Sequence, residues 1–171
     1  YNRLLTAAKA EGNQKLYLLM QTICATGIRV SELQYITLET LKSGRADVNM
    51  KGKLRVIIIP KDLCKMLKKY ADKQRITSGS IFVTKTGRPL DRTNIWKLMK
   101  SLCESAGVDK TKVFPHNLRH LFARTFYSIE KDIVRLADIL GHSSVNTTRI
   151  YTMETLNICR SQVQRLGLLR C

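Results

Sequence analysis

Apolar residues recur along this chain with two different periods. Leu16, Leu19, Met20 and Ile23 share one face of a helix, and Thr26-Gly27 supplies its stop. A second helix is predicted from about Arg29 to Lys42, with Glu32 and Leu33 in its first turns and Gly44 breaking the chain. The period then shortens. Val48 to Met50 and Leu54 to Ile59 read as two short strands around Lys51-Gly52-Lys53, a tight and strongly basic hairpin that ends at Pro60. Leu63, Met66, Leu67 and Tyr70 mark another helix, whose other faces carry Lys61, Lys65, Lys68 and Lys69 and are expected to be solvated. After Ser78-Gly79, Ile81 to Val83 read as a short strand before a Thr86-Gly87-Arg88-Pro89 turn. Ile95, Leu98, Met99 and Leu102 form a helical stripe, and Trp96 beside it is assigned to packing. Short helical pieces follow at 118–127, 133–140 and 145–151, with a tail helix at about 155–166. The expected fold class is mostly α with a small antiparallel β-hairpin, one domain over residues 1–171 with neither repeats nor low-complexity linkers.

Composition narrows the picture. A chain of 171 residues can bury one substantial core. Although 44% of the residues are hydrophobic, no apolar run approaches the roughly 18 to 20 residues of a membrane span, so a soluble protein without a membrane partner is expected. A chain beginning at Tyr1 without a charged-then-apolar leader reads as a fragment whose upstream region is missing. Thirty Lys and Arg against thirteen Asp and Glu leave a formal charge of +17, well beyond the roughly 2 to 8 that solubility alone favours in a small domain. The excess points to a polyanion. Basic residues run from Arg3 to Arg170 rather than along one amphipathic helix, which favours nucleic acid over a lipid surface.

Five widely spaced cysteines, at 24, 64, 103, 159 and 171, form no Cys-x-x-Cys pair and read as reduced cytoplasmic thiols. His116 and His120 stand four apart, as in helical zinc sites, but Asn117 occupies the position where the zinc-protease pattern needs Glu, and Arg119 lies beside them. No metal and no cofactor is expected.

The polar residues carry the chemistry. Arg29 follows a helix stop and opens another helix, where N–H groups and a guanidinium can converge on a phosphate. Pro115 suits a helix start, and His116 and Arg119, three apart, fall on one helical face. Leu140-Gly141-His142 puts a histidine at a helix stop, nine residues before Tyr151.

In order and spacing these segments resemble the tyrosine recombinase (phage integrase) family over nearly the whole chain. Ala25-Thr26-Gly27-Ile28-Arg29-Val30-Ser31-Glu32-Leu33 looks like the family's first arginine motif, with Glu32 at its accessory acidic position. His116-x-x-Arg119 looks like its His-x-x-Arg motif, and Leu140-Gly141-His142-Ser143-Ser144 with Thr147-Thr148-Arg149-Ile150-Tyr151 like its final histidine and nucleophile segment. The resemblance puts the catalytic lysine at the hairpin. Lys51 fits if the turn of Lys51-Gly52-Lys53-Leu54-Arg55 is one residue shorter than usual, and Lys53 is the alternative. It also implies a DNA breaking-rejoining catalytic domain without its separate amino-terminal DNA-clamping domain.

Cleaving a phosphodiester needs a nucleophile, charge stabilisation on the non-bridging oxygens and a proton for the departing oxygen. By the resemblance, Tyr151 attacks to give a 3′-phosphotyrosyl link and a free 5′-hydroxyl. A phenol, with a pKa near ~10, must lose its proton during attack, and His116 is the candidate acceptor. Arg29 and Arg119 grip the phosphate with planar, permanently charged forks; Lys51 protonates the leaving oxygen, His142 bonds the phosphate, and Glu32 orients His116 or a neighbour. Read singly, Arg29 is a salt-bridge partner for Glu32, and His142 a helix cap. Tyr127 is the nearest rival to Tyr151, and His120 is taken as a structural neighbour of His116. The expected partners are double-stranded DNA and three further copies of the chain, in a homotetramer passing through a Holliday junction to integrate or excise a mobile element. The alternatives are a type IB topoisomerase and a non-catalytic DNA-binding module. Leu156, Cys159, Val163 and Leu166, on one face of the tail, suit docking on a neighbouring protomer or local packing.

Overall fold

The computed structural model of the chain describes residues 1–50, 53–84, 86–151 and 164–166, the side chains of Met50 and Lys53 excepted. The hairpin lysine candidate Lys51 and the greater part of the expected tail helix lie outside the described residues.

A first helix, α1 (Asn2–Ala10), is absent from the expectations above, although Leu4, Ala7 and Ala8 follow helical spacing and are buried. The central helix α2 (Gln14–Thr26) starts where the Asn13 side chain accepts from the Leu16 N–H at 3.2 Å. It buries Leu16, Leu18, Leu19, Met20 and Ile23, each worth about 1.5–3 kcal/mol relative to exposure. Gly27 ends it with φ 61°, and a Cβ there would lie 2.5 Å from the Phe122 ring. Backbone and packing thus both demand glycine at this position.

The single helix expected over Arg29–Lys42 is instead a 3-10 helix (Val30–Tyr35) and a separate short helix α3 (Leu38–Ser43). The cause is Thr37, whose hydroxyl accepts from the Thr40 N–H at 3.2 Å while Thr40 Oγ1 accepts from the Thr37 N–H at 2.9 Å. This reciprocal cap starts a new helix. Ile36 C=O meanwhile accepts from Ile81 N–H at 2.9 Å, so the chain bonds sideways at the break. Around Ile81 to Val83 there are two isolated bridges, Thr37 with Ser80 and Val83 with Pro89, rather than the strand expected there. Ile81 and Phe82 are nonetheless fully buried.

The hairpin forms as expected, with β1 (Arg45–Met50) antiparallel to β2 (Lys53–Ile58), Val48 opposite Arg55 and Ala46 opposite Ile57. Its register is informative. Ala46, Val48, Arg55 and Ile57 point inward, whereas Leu54, Val56 and Ile58 face outward. Next, α4 (Lys61–Lys73) buries Leu63, Cys64, Leu67, Tyr70 and Ala71 and leaves Lys61, Lys65 and Lys69 exposed.

In α5 (Arg92–Ser101), capped by Asp91, Ile95 and Met99 enter the core but Trp96 does not. Trp96 is 40% exposed, which corrects its expected place in the core and leaves it partly exposed beside it. One residue along a helix turns the side chain about 100°, away from the face of Ile95. Three helices complete the chain: α6 (Pro115–Glu130), α7 (Ile133–Leu140) and α8 (Val145–Arg149). One large core joins α1 to α5, the hairpin and the start of α6. A smaller cluster of Ala123, Leu136, Leu140 and Tyr151, with Phe122, Phe126 and Tyr127 against it, closes the other side of α6. Among the described residues, no helix is long and apolar enough to cross a membrane.

Candidate active site

Two helix ends meet at the centre of the molecule. The last carbonyls of any helix lack intrahelical donors and carry the negative end of its dipole, and α2 and α7 bring such carbonyls together at Gly27 and at Ile139, Leu140 and Gly141. Three guanidinium groups fill the space between them. Arg119, in the first turns of α6, donates from Nη1 to Gly27 O at 2.5 Å and from Nη2 to Leu140 O at 2.7 Å. Arg55 donates from Nε to Ile139 O at 2.8 Å, and Arg29 from Nη2 to Gly141 O at 3.0 Å. The helix ends thus aim the arginines as well as being capped by them.

Glu32 is the anion of this arrangement. Fully buried, it pairs through Oε1 with Arg29 Nη1 and through Oε2 with Arg55 Nη1, both at 2.7 Å. Oε2 also accepts from the Arg29 backbone N–H at 2.9 Å. Glu32 therefore orients two arginines, and no hydrogen bond joins it to His116. With three guanidinium groups to one carboxylate, the net charge is 3 − 1 = +2 while the histidines are neutral. Burial, followed by repulsion from Arg29 and Arg55, pushes Arg119 down to about 10. It stays cationic near neutral pH.

Arg55 belongs to the hairpin motif, and the sequence alone gives it no role. Its signal is a lone arginine in an otherwise apolar strand, at a position the register turns inward. Gly141 fits around it: φ is 64°, and a Cβ would lie 2.5 Å from Arg55 Cδ.

His142 follows immediately. Its Nε2 lies 3.2 Å from Arg119 Nη2 and its Nδ1 2.9 Å from Thr148 Oγ1. Arginine only donates, so Nε2 accepts and the proton sits on Nδ1, pointing to Thr148. Burial, then the Arg119, Arg29 and Arg55 cations, hold His142 down to about 4. His116 and His120, facing each other through their Nε2 atoms, are also lowered, first by burial and then by neighbouring positive charge. Among the described residues, no group of three His, Cys, Asp or Glu side chains is placed to hold a metal ion.

These shifts have a consequence for stability. All three histidines of the chain have folded pKa values below their unfolded ones, so between about pH 6.5 and 4 the unfolded chain binds protons that the folded chain refuses. Stability is therefore expected to fall as pH drops through that window. Thermal unfolding should show a midpoint lower by about 3 °C or more at pH 5 than at pH 7, with a smaller drop in His142→Gln.

Tyr151 lies just past α8, its N–H donating to Thr148 O at 3.0 Å. Only 9% exposed, it sits against His120 in a T-shaped contact with centroids 4.9 Å apart, and near-parallel to His142 at 6.4 Å. Arg29, His116, Arg119 and His142 line a groove of about 970 Å³ that continues past Arg92, Trp96 and Phe114. The fold thus gathers Arg29, Glu32, His116, Arg119, His142 and Tyr151, residues drawn from four separate stretches of sequence. Tyr127 packs against the outside of the cluster that holds Tyr151, and its ring faces the Lys131 ammonium at 5.2 Å.

The sequence matches the phage integrase family over residues 1–157. It is 37% identical over 141 residues to the tyrosine recombinase XerH of Campylobacter jejuni subsp. jejuni serotype O:2, covering 79% of this chain and 40% of that protein. It is 33% identical over 159 residues to XerA of Pyrococcus furiosus, covering 89% and 54%. The chain spans about half the length of these curated relatives. Its fold resembles the crystal structure of XerA recombinase, with a TM-score of 0.75 at 30% identity over 99% of this chain and 62% of that one. It also resembles XerH bound to its difH substrate before cleavage, with a TM-score of 0.75 at 26% identity over 94% and 50%. With the family matched over most of its length, and with this fold and this gathering of residues, the chain belongs to the phage integrase family and has the catalytic-domain fold of its tyrosine recombinases.

Proposed function

We propose that the chain is the catalytic domain of a site-specific recombinase that cuts and rejoins duplex DNA through a 3′-phosphotyrosyl intermediate. The observation that carries this reading is the unbroken series of contacts from Arg119 to His142 to Tyr151. It sets a candidate nucleophile beside a cationic clamp suited to one phosphate.

Tyr151 Oη attacks phosphorus while the P–O5′ bond breaks. The phenolic proton passes to His116, and the 5′-oxygen takes a proton from Lys51, or from Lys53 if that residue occupies the position. Arg29 and Arg119 hold the non-bridging oxygens, where held, desolvated donors stabilise developing charge far better than water does. Glu32 keeps the Arg29 guanidinium in place, and the Gly27 and Leu140 carbonyls keep that of Arg119. The neutral His142 of the free enzyme gains a hydrogen for the phosphate once the incoming anion offsets the surrounding arginines. The phosphotyrosyl bond retains the energy of the bond it replaced, so the religation that follows needs no cofactor.

The substrate is double-stranded DNA, consistent with the net charge of +17 and with the DNA complex of the similar XerH. The protein acts in the cytoplasm as a homotetramer, two protomers cleaving at a time, and passes through a Holliday junction. Its role is integration and excision of a mobile element, a reading supported by the motif resemblance. The test uses the protein in its full natural length, with its site selected from a randomised duplex pool, on plasmids carrying two copies of that site. Recombinant products with a trapped four-way junction are expected. Relaxation of supercoils without recombinants would indicate a topoisomerase, and binding without cleavage a DNA-binding module.

A further inference from the structure

His120 contacts both partners of the proton transfer just described. One helical turn after His116 on α6, it meets that ring with centroids 4.0 Å apart and the two Nε2 atoms in hydrogen-bond contact. Its other neighbour is Tyr151, whose ring stands at 85° to it with centroids 4.9 Å apart.

A histidine that receives a proton during reaction needs a partner on its other ring nitrogen, which fixes the tautomer and steadies the imidazolium; a carboxylate commonly serves. Among the described residues, no carboxylate hydrogen-bonds or ion-pairs with His116 or His120. Glu32, the buried anion of the site, is committed to Arg29 and Arg55. Among the described residues, the charged groups bearing on the pair are all cations: Arg119 and Arg124 from α6 itself, and Arg92 from α5. Tyr151 approaches from beyond α8. Among the described residues, a positive charge formed on His116 thus has one acceptor in contact, the second imidazole.

Two neutral imidazoles joined through Nε2 share one proton, so one ring donates and the other accepts. If His120 donates, the Nε2 lone pair of His116 is occupied and its Nδ1 carries hydrogen, leaving His116 without a free basic nitrogen. If His116 donates, its Nδ1 lone pair is free. Resting on the proton-acceptor role given to His116 above, we propose that His120 is the positioning residue of the transfer, accepting through Nε2 from His116 Nε2–H and leaving His116 Nδ1 open as the base. When Tyr151 Oη bonds to phosphorus, its proton moves to His116 Nδ1, and the imidazolium charge is stabilised along Nε2–H···Nε2. On religation the same proton returns to the phenolic oxygen. The role goes beyond the structural-neighbour assignment that the sequence suggested.

The test measures single-turnover adduct formation on a nicked duplex carrying the selected site, as a function of pH, for the full-length protein and its His120→Phe and His120→Gln variants. Phenylalanine keeps an aromatic edge against Tyr151 but cannot accept, whereas the glutamine carbonyl can. The expected result is a loss of about 10- to 100-fold in His120→Phe, with the acid limb of the profile moved to lower pH because His116 has lost the partner of its charged form. His120→Gln should stay within about 5-fold of wild type. A packing role reverses this order, so a His120→Phe variant as fast as His120→Gln or faster overturns the proposal. Tautomers in the unaltered protein, read by long-range ¹H–¹⁵N correlation, give a second test independent of variant folding. Neutral His116 is expected to carry hydrogen on Nε2 and His120 on Nδ1, and the opposite assignment overturns the proposal. Absence of any adduct from the wild-type protein would instead remove the catalytic reading itself.

Discussion

Tyr151→Phe is expected to abolish the covalent protein–DNA adduct, lowering its rate of formation by at least about 10⁴-fold, while DNA affinity stays within about twofold. The phenolic oxygen is the only group removed. Tyr151 is 9% exposed and packs with Ala123, Leu136 and Leu140, contacts a phenylalanine ring preserves, so no cavity forms and the fold should hold. The phosphate clamp is built by Arg29, Arg55, Arg119 and Glu32 and does not involve the phenol. Tyr127→Phe is the matched control and should form adduct at the wild-type rate. Denaturing gels of reactions on a nicked duplex separate the cases; undiminished adduct in Tyr151→Phe would transfer the nucleophile role elsewhere.

The second large effect is expected at Glu32. Fully buried and bonded to two guanidinium groups, it leaves Arg55 without its counter-ion when replaced by alanine. Removing one partner of a buried ion pair costs about 3–5 kcal/mol, because the remaining charge stays desolvated and unpaired. Exposed pairs such as Lys65 with Asp62 contribute at most about 1 kcal/mol each. Urea unfolding should therefore place Glu32→Ala at least 3 kcal/mol below wild type. Glu32→Gln keeps the volume and one acceptor oxygen, so it should lose less. Adduct formation in Glu32→Ala should also drop, by about 10² to 10³-fold, since Arg29 loses both its bond to Oε1 and the backbone N–H bond to Oε2 that fix its approach. A Glu32→Ala protein within 1 kcal/mol of wild type would show that Glu32 does not organise the site.

Much of this arrangement is legible in the sequence, and the exceptions have physical causes. Helices with strong apolar stripes, α2, α4, α6 and α7, lie where the 3.6-residue period puts them, and the change to strand spacing marks the hairpin. The break at Ile36-Thr37 was missed because its cause is a reciprocal cap between two threonines, which apolar periodicity does not register. The strand expected at Ile81 to Val83 has the right composition, but only isolated bridges form beside it, Ser80 with Thr37 and Val83 with Pro89. Composition cannot reveal that.

Arg55 is the instructive case. Alternation in Leu54-Arg55-Val56-Ile57-Ile58 suggests that three apolar residues face inward and the arginine outward, yet the register does the reverse. Leu54 is left 80% exposed so that Arg55 can reach Glu32 and the end of α7. The stabilisation lies in contacts 23 and 84 residues away along the chain, outside any local pattern. Trp96 follows the same logic: the stripe containing Ile95 and Met99 was read correctly, but which neighbour turns toward the groove depends on where α6 sits. The grouping of Arg29, Glu32, His116, Arg119, His142 and Tyr151 was expected from motif order, while the orientation of Arg29 and Arg119 by helix-terminal carbonyls required the fold.

The most direct test of Tyr151 as nucleophile is to trap the full-length protein on a nicked duplex of its selected site, with chelator present, digest it and identify the nucleotide-bearing peptide by mass spectrometry. The expected result is a single modified peptide containing Tyr151, linked to the 3′-phosphate. A modified peptide containing Tyr127 or any other residue, or a substrate cleaved without a covalent link, would contradict it.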